Sequence, residues 1–308
     1  MIKIDLITGF LGSGKTTFIK LYAKHLIDKG MKVNILENDY GAVNVDMMLL
    51  GELEGEDCSL DMVAGACDAD CHKRRFKTKL IAMGMSGCDR VIIEPSGVFD
   101  IDEFFDTLYE EPLDRWYEIG SVIAVVDADL EENLSESANY LLASQAAMAG
   151  KIVLSKVQQS GKAETERTIA HINAALNSVK CDRDIRGDVI AKDWSTFDDS
   201  DFDEIINAGY CSESFVKRGT TDDSGFRSLY FMNKPYQTAE ILEKTKAVFA
   251  DKHCGNVFRV KGFVEENGKW FELNATRQRA VLRPIARGQK IIIVIGEQLD
   301  EAAVGRYF

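Results

Sequence analysis

The feature that most constrains the fold is a glycine-rich loop, Gly9 to Thr17, with the sequence GFLGSGKTT. It fits the phosphate-binding pattern G-x-x-x-x-G-K-[ST]. Because glycine has no Cβ, consecutive backbone N–H groups can curl around an anion. We expect Lys15 to reach the β- and γ-phosphates of a nucleoside triphosphate and the Thr16 hydroxyl to ligate Mg²⁺. The predicted nucleotide contacts are Gly9, Gly12, Ser13, Gly14, Lys15, Thr16 and Thr17.

The sequence around this loop supports the assignment. The apolar run Ile2–Ile7 precedes it and predicts a buried strand. After the loop, apolar residues recur with helical spacing at Phe18, Leu21, Tyr22 and Leu26. A strand, a glycine-rich loop and a helix in this order are the context that a phosphate loop requires, whereas a glycine-rich turn could match the pattern by chance.

Composition limits the function classes. A chain of 308 residues with 45% hydrophobic content is long enough for two domains. Its net charge of −13 argues against nucleic acid or an anionic membrane as the main partner. No apolar run approaches the roughly 20 residues of a membrane span, and no signal-peptide pattern precedes the first strand. Seven cysteines, an odd number, argue against a disulfide framework. These features predict a reduced, cytoplasmic protein.

Strand-like runs alternate with helical stretches through the first half of the chain. Such alternation predicts an α/β fold with a mostly parallel, doubly wound sheet. The runs are Ile2–Ile7, Val33–Leu36, Val91–Ile93, Ser121–Val126 and Ile152–Leu154.

The second half is organised differently. Residues 181–224 are rich in Asp, Ser and Gly, and the later part of this segment is interpreted as a linker. From Phe226 the pattern predicts a strand (226–232), a helix (236–250), three or four strands up to Val294 and a short helix after Gly296. We therefore predict a nucleotide-binding domain at 1–215 and a smaller α+β domain at 216–308.

Two acidic segments follow predicted strands, where ligands bind in doubly wound folds. In Glu37–Gly41, Asp39 is predicted to hold Mg²⁺, directly or through water, or to position the attacking water, although a solvated turn is the alternative. In Glu94–Gly97, the Glu94 carboxylate is expected to face Mg²⁺ and the Gly97 N–H to approach the terminal phosphate. The alternative for the second segment is a strand that ends in a proline turn.

These motifs in this order resemble those of the CobW-type GTPases, metal-handling P-loop proteins related to the nickel-insertion GTPases of urease and hydrogenase. The glycine-rich loop is close to the opening of that family, and Asp39 stands where the family usually has Glu. The resemblance covers nearly the whole chain and extends to Glu94–Gly97, Val125–Ala128, Arg259–Phe263 and Ile295–Glu301.

The family's Cys-x-Cys-Cys metal loop departs from its usual form. The corresponding stretch, Gly65–His72, holds Cys67 and Cys71 four residues apart, with Cys58 upstream. If residues 67–80 are helical, the two cysteines share one face of the helix. Together with His72 or Cys58 they would form a site suited to Zn²⁺ or a similar ion such as Co²⁺. The alternative is that these are ordinary buried cysteines.

The base-recognition motif also departs from the family. GTPases carry Asn-Lys-x-Asp after a core strand, and the corresponding residues here are Ser155, Lys156, Val157 and Gln158. Lys156 can still lie along the base. A neutral glutamine cannot supply two charge-assisted acceptor contacts to guanine, so Gln158 makes the preference for GTP over ATP an open question.

The resemblance implies hydrolysis of GTP, or of another nucleoside triphosphate, that controls metal delivery to a metalloprotein client. Turnover is expected to be slow, because no arginine is evident in the nucleotide loops. Lys15, Asp39, Glu94 and Gly97 are the predicted catalytic residues, and Thr16 and Glu94 the predicted Mg²⁺ ligands. A nucleotide-dependent homodimer is a further expectation. Two alternatives remain open. One is a nucleotide-dependent activator of a metalloenzyme, such as a corrinoid protein, that carries no metal itself. The other is a small-molecule kinase, which would need an acceptor pocket and an arginine-bearing lid, and Arg74 and Arg75 are the only compact arginine pair near the site.

Overall fold

The computed structural model describes residues 1–38, 45–63, 69–97, 101–216 and 226–308. The chain divides into two compact units, Met1–Gly219 and Thr220–Phe308. The predicted boundary, between residues 215 and 216, lies four residues from this division. Among the described residues, no helix has both the length and the apolar character that a bilayer crossing would need.

A seven-stranded parallel sheet forms the centre of the first unit, in the order β3-β2-β4-β1-β5-β6-β7. The predicted doubly wound α/β fold is thereby confirmed. The central strands are apolar along most of their length because helices cover both faces of the sheet. The strands are β1 (Ile2–Thr8), β2 (Val33–Asn38), β3 (Cys58–Val63), β4 (Arg90–Pro95), β5 (Tyr117–Asp127), β6 (Lys151–Ser155) and β7 (Val189–Ile190).

Helices pack on the two faces in two hydrophobic clusters. Buried residues of the first and last helices of the unit belong to one cluster, which includes Phe18 and Phe202. Five other helices, the third to the seventh in chain order, contribute to the opposite cluster, which includes Phe76 and Phe104. The helices are α1 (Lys15–Asp28), α2 (Val45–Leu50), α3 (Ala69–Gly84), α4 (Ile101–Leu108), α5 (Leu113–Trp116), α6 (Glu136–Met148), α7 (Lys162–Ser178) and α8 (Asp199–Ile206).

The sequence analysis missed three of these elements. Strand β3 lies at an edge of the sheet and is buried only at its two ends, so it shows no continuous apolar run. Strand β7 has only two residues. Helix α8 begins within the Asp-rich segment because Asp198 caps it, with the Asp198 side chain and that of Asp201 forming a capping box.

The second unit is a five-stranded antiparallel sheet with a helix packed on one face, as the predicted small α+β domain requires. The strand order is β11-β10-β9-β12-β8. Helix α9 contributes Ile241 and Val248 to the hydrophobic core of this unit. The elements are β8 (Phe226–Met232), α9 (Thr238–Ala250), β9 (Asn256–Glu266), β10 (Lys269–Thr276), β11 (Ala280–Ile285), β12 (Ile291–Glu297) and α10 (Glu301–Val304).

The topology of the parallel sheet determines where a ligand can bind. Strand β1 lies between β4 and β5, and the chain moves outward from it in both directions. The crevice at the carboxyl ends of strands around such a reversal is the usual ligand site of an open α/β sheet. Here β1 ends at Thr8, β4 at Pro95 and β5 at Asp127.

Candidate functional site

The loop between β1 and α1 has backbone geometry that only glycine tolerates at two positions. Gly9 has a φ of 147°, and an added Cβ would lie 2.2 Å from the backbone oxygen of Val125. Gly14 has a φ of 98° and is the residue on which α1 begins. These values fall where L side chains are strained, so the sequence pattern reflects a steric requirement.

Two side chains at the start of α1 face this loop. The Lys15 ammonium donates a hydrogen bond to the backbone oxygen of Gly9 at 2.9 Å, and Lys15 is only 7% exposed. The Thr16 hydroxyl donates to Glu94 Oε1 at 2.8 Å across 78 residues of sequence. The structure therefore brings together the cation, the hydroxyl and the carboxylate that the sequence analysis assigned to one phosphate and Mg²⁺ site.

A second carboxylate, that of Glu37, lies beside Glu94. Glu37 is directly opposite Glu94 in the β2–β4 pairing, and both residues are buried. Because side chains alternate along a strand, Glu37 and Glu94 share the sheet face of Ile35 and Ile92, on which α1 packs. Two buried carboxylates on neighbouring strands repel each other when both are ionised, and a divalent cation relieves that repulsion. Sequence analysis chose Asp39 instead of Glu37.

Gly97 allows a close approach between two loops. A Cβ at this position would lie 2.8 Å from Leu11 Cδ2 and 3.0 Å from the backbone nitrogen of Leu11. The Gln145 amide nitrogen is 3.4 Å from the backbone oxygen of Gly97. The segment that follows β4 is thus packed against the glycine-rich loop, where a terminal phosphate would be bound.

Several buried polar atoms near the carboxyl ends of the strands have no hydrogen-bond partner among the described residues. They include Thr8 Oγ1, Ser13 Oγ, Ser155 Oγ and both amide atoms of Asn38. Leaving such groups unsatisfied costs about 1–3 kcal/mol each, so folded proteins rarely do so without a ligand or water. Their position suits a polar ligand.

The predicted base-recognition residues follow β6. Ser155 lies beside the glycine-rich loop, with its Cβ 3.6 Å from where a Cβ on Gly14 would be. The Lys156 ammonium pairs with the Asp127 carboxylate and donates to the backbone oxygen of Gly12 at 3.2 Å. Gln158 is exposed to solvent in a short 3₁₀ turn. Ser155 and Lys156 are therefore fixed in place, and Gln158 is accessible.

Trp194 is a site residue that the sequence analysis did not identify. Its indole N–H donates to the backbone oxygen of Leu154 at 2.9 Å, and its ring packs edge-on against Phe18. The ring atom Cη2 lies 3.5 Å from where a Cβ on Gly14 would be. A tryptophan in an otherwise polar segment was the available signal, because an isolated aromatic residue there needs an apolar contact.

The candidate metal loop is described only in part. Asp39 and Cys67 lie outside the described residues, so their predicted roles remain predictions. Helix α3 begins at Ala69, and within it Cys71 is half-buried while His72 is fully buried. Both residues lie in the first turn of α3, at the carboxyl edge of the sheet.

Cys58 lies at the opposite edge. It is the first residue of β3, about 17 Å along the strand from the end that leads to α3. Burial, with a smaller contribution from Glu54, raises the pKa of its thiol to about 11. A thiolate is the form that binds a metal, and the structure does not bring Cys58 to Cys71 and His72. Among the described residues, no three His, Cys, Asp or Glu side chains form a metal-binding group.

Comparison with known proteins assigns the chain to a family. Residues 3–182, more than half of the chain, match the family model of the CobW/HypB/UreG nucleotide-binding domain. The chain belongs to this family. The predicted resemblance to CobW-type P-loop GTPases is confirmed.

The chain is similar to two proteins of Escherichia coli strain K12. The zinc chaperone YjiA is 30% identical over 184 residues, which is 56% of this chain and 55% of YjiA. The zinc chaperone YeiR is 30% identical over 157 residues, which is 51% of this chain and 47% of YeiR. The chain therefore aligns with about half the length of the curated relatives it matches.

Solved structures give weaker likenesses. The Zn(II)-bound YjiA GTPase from E. coli has 19% identity and a TM-score of 0.42, with 100% of this chain and 98% of that chain covered. The hydrogenase maturation factor HypB from Archaeoglobus fulgidus has 18% identity and a TM-score of 0.40, with 67% and 87% covered.

Within the matched region lie the glycine-rich loop, Glu37, Glu94, Gly97, Ser155, Lys156 and Gln158. The structure places all of these residues except Gln158 at one edge of the parallel sheet. Gln158 lies in an exposed turn that extends from that edge. Trp194, which contacts the same loop, comes after the matched residues. The second unit is outside the matched region altogether.

Proposed function

We propose that this protein binds a nucleoside triphosphate with Mg²⁺, hydrolyses it slowly, and uses the nucleotide state to control metal delivery to a client metalloprotein. GTP is the expected nucleotide. The observation that carries the nucleotide part is the contact between the Thr16 hydroxyl and the Glu94 carboxylate, beside Lys15 and Glu37. Membership in the CobW/HypB/UreG family supports the same function.

The oxygens at this site suit Mg²⁺. A hydroxyl from Thr16 and carboxylates from Glu94 and Glu37 are hard ligands that the ion prefers. When bound, Mg²⁺ would neutralise charge that develops on the phosphoryl oxygens. Lys15 supplies a second positive charge, and the buried hydroxyls of Ser13 and Thr8 supply polar contacts in a site shielded from water.

Hydrolysis by the isolated chain should be slow. The four segments assigned to the nucleotide, residues 9–17, 37–41, 94–97 and 155–158, contain no arginine. In P-loop enzymes an arginine that reaches the transferred phosphoryl raises turnover by about 10³–10⁵. Slow turnover suits a switch, because the bound state then lasts long enough to be recognised by a partner.

For the cargo, we propose Zn²⁺ or a related ion such as Co²⁺, held near the first turn of α3. Cys71 and His72 supply sulfur and nitrogen ligands there, and Cys67 precedes the helix. The E. coli relatives carry the name zinc chaperone. Cys58 is not part of the proposed set, because it lies at the other edge of the sheet.

The test measures metal content and hydrolysis in the same preparations. The purified chain is loaded with Zn²⁺ with and without a non-hydrolysable GTP analogue, desalted, and analysed by mass spectrometry for bound metal. Cys67→Ser with Cys71→Ser should abolish retention, since serine is a poor ligand at neutral pH. Cys211→Ser, which changes another half-buried cysteine, serves as the matched control. Unchanged retention in the double variant would place the metal elsewhere.

A second candidate is a nucleotide-dependent activator that carries no metal. The position of Cys58 favours it, because one of the predicted thiol ligands is buried at the wrong edge of the sheet with a raised pKa. GTP hydrolysis without retained metal, in wild type and cysteine variants alike, would support this candidate against the metal-delivery proposal.

A further inference from the structure

The two units of the chain carry opposite net charge. Residues 1–219 contain 23 Lys and Arg against 39 Asp and Glu, whereas residues 220–308 contain 14 against 11. The acidic character of the whole protein thus belongs to the nucleotide-binding unit. The smaller unit is slightly basic, and its positive charge is concentrated.

The positive charge of this unit is concentrated around the edge strand β11. No acidic residue occurs between Glu272 and Glu297 in the sequence, and five basic residues fall in that interval: Arg277, Arg279, Arg283, Arg287 and Lys290. The 24 residues from 273 to 296 therefore carry a net charge of +5 in a chain whose net charge is −13.

Three of these arginines lie on one face of the second unit's sheet. Ala280 and Leu282 pack into the core beneath α9, so Arg283 points to the other face. Arg279 shares that face, because it continues the same ladder through two backbone hydrogen bonds with Thr276. Arg287 lies next to Gly288.

The loop that carries Arg287 is folded onto this same face. A Cβ on Gly288 would lie 2.6 Å from the Trp270 ring and 3.0 Å from Phe263 Cβ, and both of these side chains belong to the face opposite the core of α9. We call Arg279, Arg283 and Arg287 the arginine face.

The arginine face is available to a partner. All three side chains are exposed, and none of them forms an ion pair with any of the described residues. The two neighbouring cations are already engaged: Lys290 pairs with Glu265 at 2.9 Å, and Arg277 donates to the Asn256 amide oxygen at 2.8 Å. Among these five basic residues, the charge without an ion pair in the described part of the chain is therefore that of the arginine face. The Glu272 carboxylate, directly opposite Arg283 in the β10–β11 pairing, shares this face and offsets part of that charge.

Protection of an exposed sheet edge is the simpler explanation for charge on β11. Proteins place charges and proline on edge strands to prevent pairing with another strand, and Pro284 is part of β11. One charge beside Pro284 would suffice for that purpose. Three unpaired arginines of one sign, two of them outside the strand, exceed what edge protection requires.

We propose that the arginine face docks an acidic segment of a partner protein. Arginine binds carboxylates through two parallel hydrogen bonds, which lysine cannot do. Arg279 and Arg283 are four residues apart along an extended chain, or about 13 Å. An extended acidic segment repeats its side chains on one side every two residues, so carboxylates four residues apart match this spacing.

A nucleic acid fits less well. Its negative charge continues along its whole length, and the net charge of −13 on this chain opposes such a polyanion. A short acidic protein segment carries few charges and can end at the edge of the arginine face. The proposal is independent of the nucleotide and metal chemistry proposed above.

The test uses the full chain and a fluorescein-labelled peptide of about ten glutamates, with binding followed by anisotropy at about 50 mM salt. Arg279→Gln, Arg283→Gln and Arg287→Gln are combined in one variant. The matched control combines Lys246→Gln, Lys252→Gln and Arg306→Gln, which removes the same charge from exposed positions on other elements of the same unit. Circular dichroism checks that both variants are folded.

We expect the arginine-face variant to bind the peptide at least about tenfold more weakly and the control within about twofold of wild type, since exposed ion pairs contribute modestly and additively. Equal weakening by both variants would show a bulk charge effect and overturn the proposal. So would arginine-dependent binding of duplex DNA or phosphatidylserine vesicles that is tighter than peptide binding, or arginine-dependent self-association in sedimentation. If the triple variant does not fold, Arg283→Gln against Lys252→Gln gives the same comparison, with about a threefold loss expected.

Discussion

The two halves of the parallel sheet treat buried polar groups in opposite ways. At the carboxyl ends of the strands, Thr8, Ser13, Asn38 and Ser155 bury polar atoms that have no hydrogen-bond partner among the described residues. In the amino half, Asp5 is fully buried but receives hydrogen bonds from three directions. One sheet therefore contains both a satisfied polar network and an unsatisfied one.

The satisfied network is compact. Asp5 accepts from the Tyr22 hydroxyl, the Arg90 guanidinium and the Ser121 backbone N–H, each at 2.8 Å. Arg90 also donates to the Tyr22 oxygen at 2.7 Å. Burial raises the pKa of Asp5 above its ordinary value, and the guanidinium acts against that shift. Gly120 is required beside it, since a Cβ there would lie 2.2 Å from Asp5 Oδ1.

The difference indicates that one polar network serves stability and the other serves ligand binding. A closed polar network holds the strands in one arrangement and leaves nothing for a ligand to bind. An open one lowers stability but presents oriented donors and acceptors, and such exceptions to local rules are expected at functional sites. Variants in the amino half should therefore change stability, and variants at the carboxyl ends should change function.

The largest effect is expected from Arg90→Met. It leaves the Asp5 carboxylate buried without its counter-ion, which typically costs about 3–5 kcal/mol of unfolding free energy. Urea denaturation measures the loss. Asp5→Leu combined with Arg90→Met should be less destabilised than Arg90→Met alone, because no charge is left buried. A stability close to wild type in the single variant would contradict the role given to this network.

Lys15→Ala, by contrast, should impair hydrolysis and change stability little. We expect nucleotide hydrolysis to fall by about 10²–10³, because a positive charge at the transferred phosphoryl is lost. Unfolding free energy should fall by only about 1 kcal/mol, the usual contribution of one hydrogen bond such as that from Lys15 to the Gly9 oxygen. Phosphate release and urea denaturation are measured on the same preparation. Lys20→Ala, on the exposed side of α1, is the control, and wild-type hydrolysis by Lys15→Ala would show that the phosphate site is misplaced.

Gln158→Asp tests selectivity at the edge of the open network. A carboxylate accepts from two donors of guanine, and each charged hydrogen bond contributes about 1.5–3 kcal/mol. We expect the GTP-to-ATP affinity ratio to rise by about tenfold to a hundredfold. Calorimetric titration of both nucleotides measures the ratio, and Gln159→Asp adds the same charge at the neighbouring exposed position. A wild type that already prefers GTP by about a thousandfold, with no gain in the variant, would refute the idea.

The smallest effect is expected from Glu110→Gln, which removes exposed ion pairs that belong to neither network. Lys73 and Lys77 lower the pKa of Glu110 to about 2. A carboxylate with a lowered folded-state pKa stabilises the fold above its ordinary pKa, and the contribution is lost as the pH falls toward 2. We expect a loss of less than about 1 kcal/mol at pH 7, shrinking toward pH 3 in urea denaturation. A loss of unfolding free energy that grows as the pH falls would contradict the expected direction of this pH dependence.

How much the sequence predicts depends on the range of the interactions. The glycine-rich loop, its flanking strand and helix, and the order of the main strands follow from local patterns, and the structure bears out this fold. The pairing of Glu37 with Glu94 depends on strand register, which joins residues 57 positions apart in the sequence. The alternation of side chains along β2 places Glu37 on the sheet face covered by α1, but no local sequence pattern shows that β4 is the neighbouring strand.

Cys58 shows that residues close in sequence need not be close in the structure. Sequence proximity to Cys67 and Cys71 suggested a shared site, but Cys58 starts a strand and the other two follow its end. A strand separates its two ends by about 3.3 Å per residue, so the six residues of β3 put Cys58 and the start of α3 at opposite edges of the sheet. Trp194 was missed because its partners, Phe18 and the Leu154 carbonyl, come from two other elements.

The position of Trp194 also makes the nucleotide site observable with light. Indole emission responds to the polarity and the hydrogen bonds of its surroundings, and this ring contacts the loop that would hold the phosphates. Of the other two tryptophans, Trp116 is the last residue of α5, at the opposite edge of the sheet, and Trp270 belongs to the second unit. Addition of unlabelled nucleotide should therefore change the emission of Trp194, and Trp194→Phe should remove that change, so that occupancy can be followed in real time without a dye.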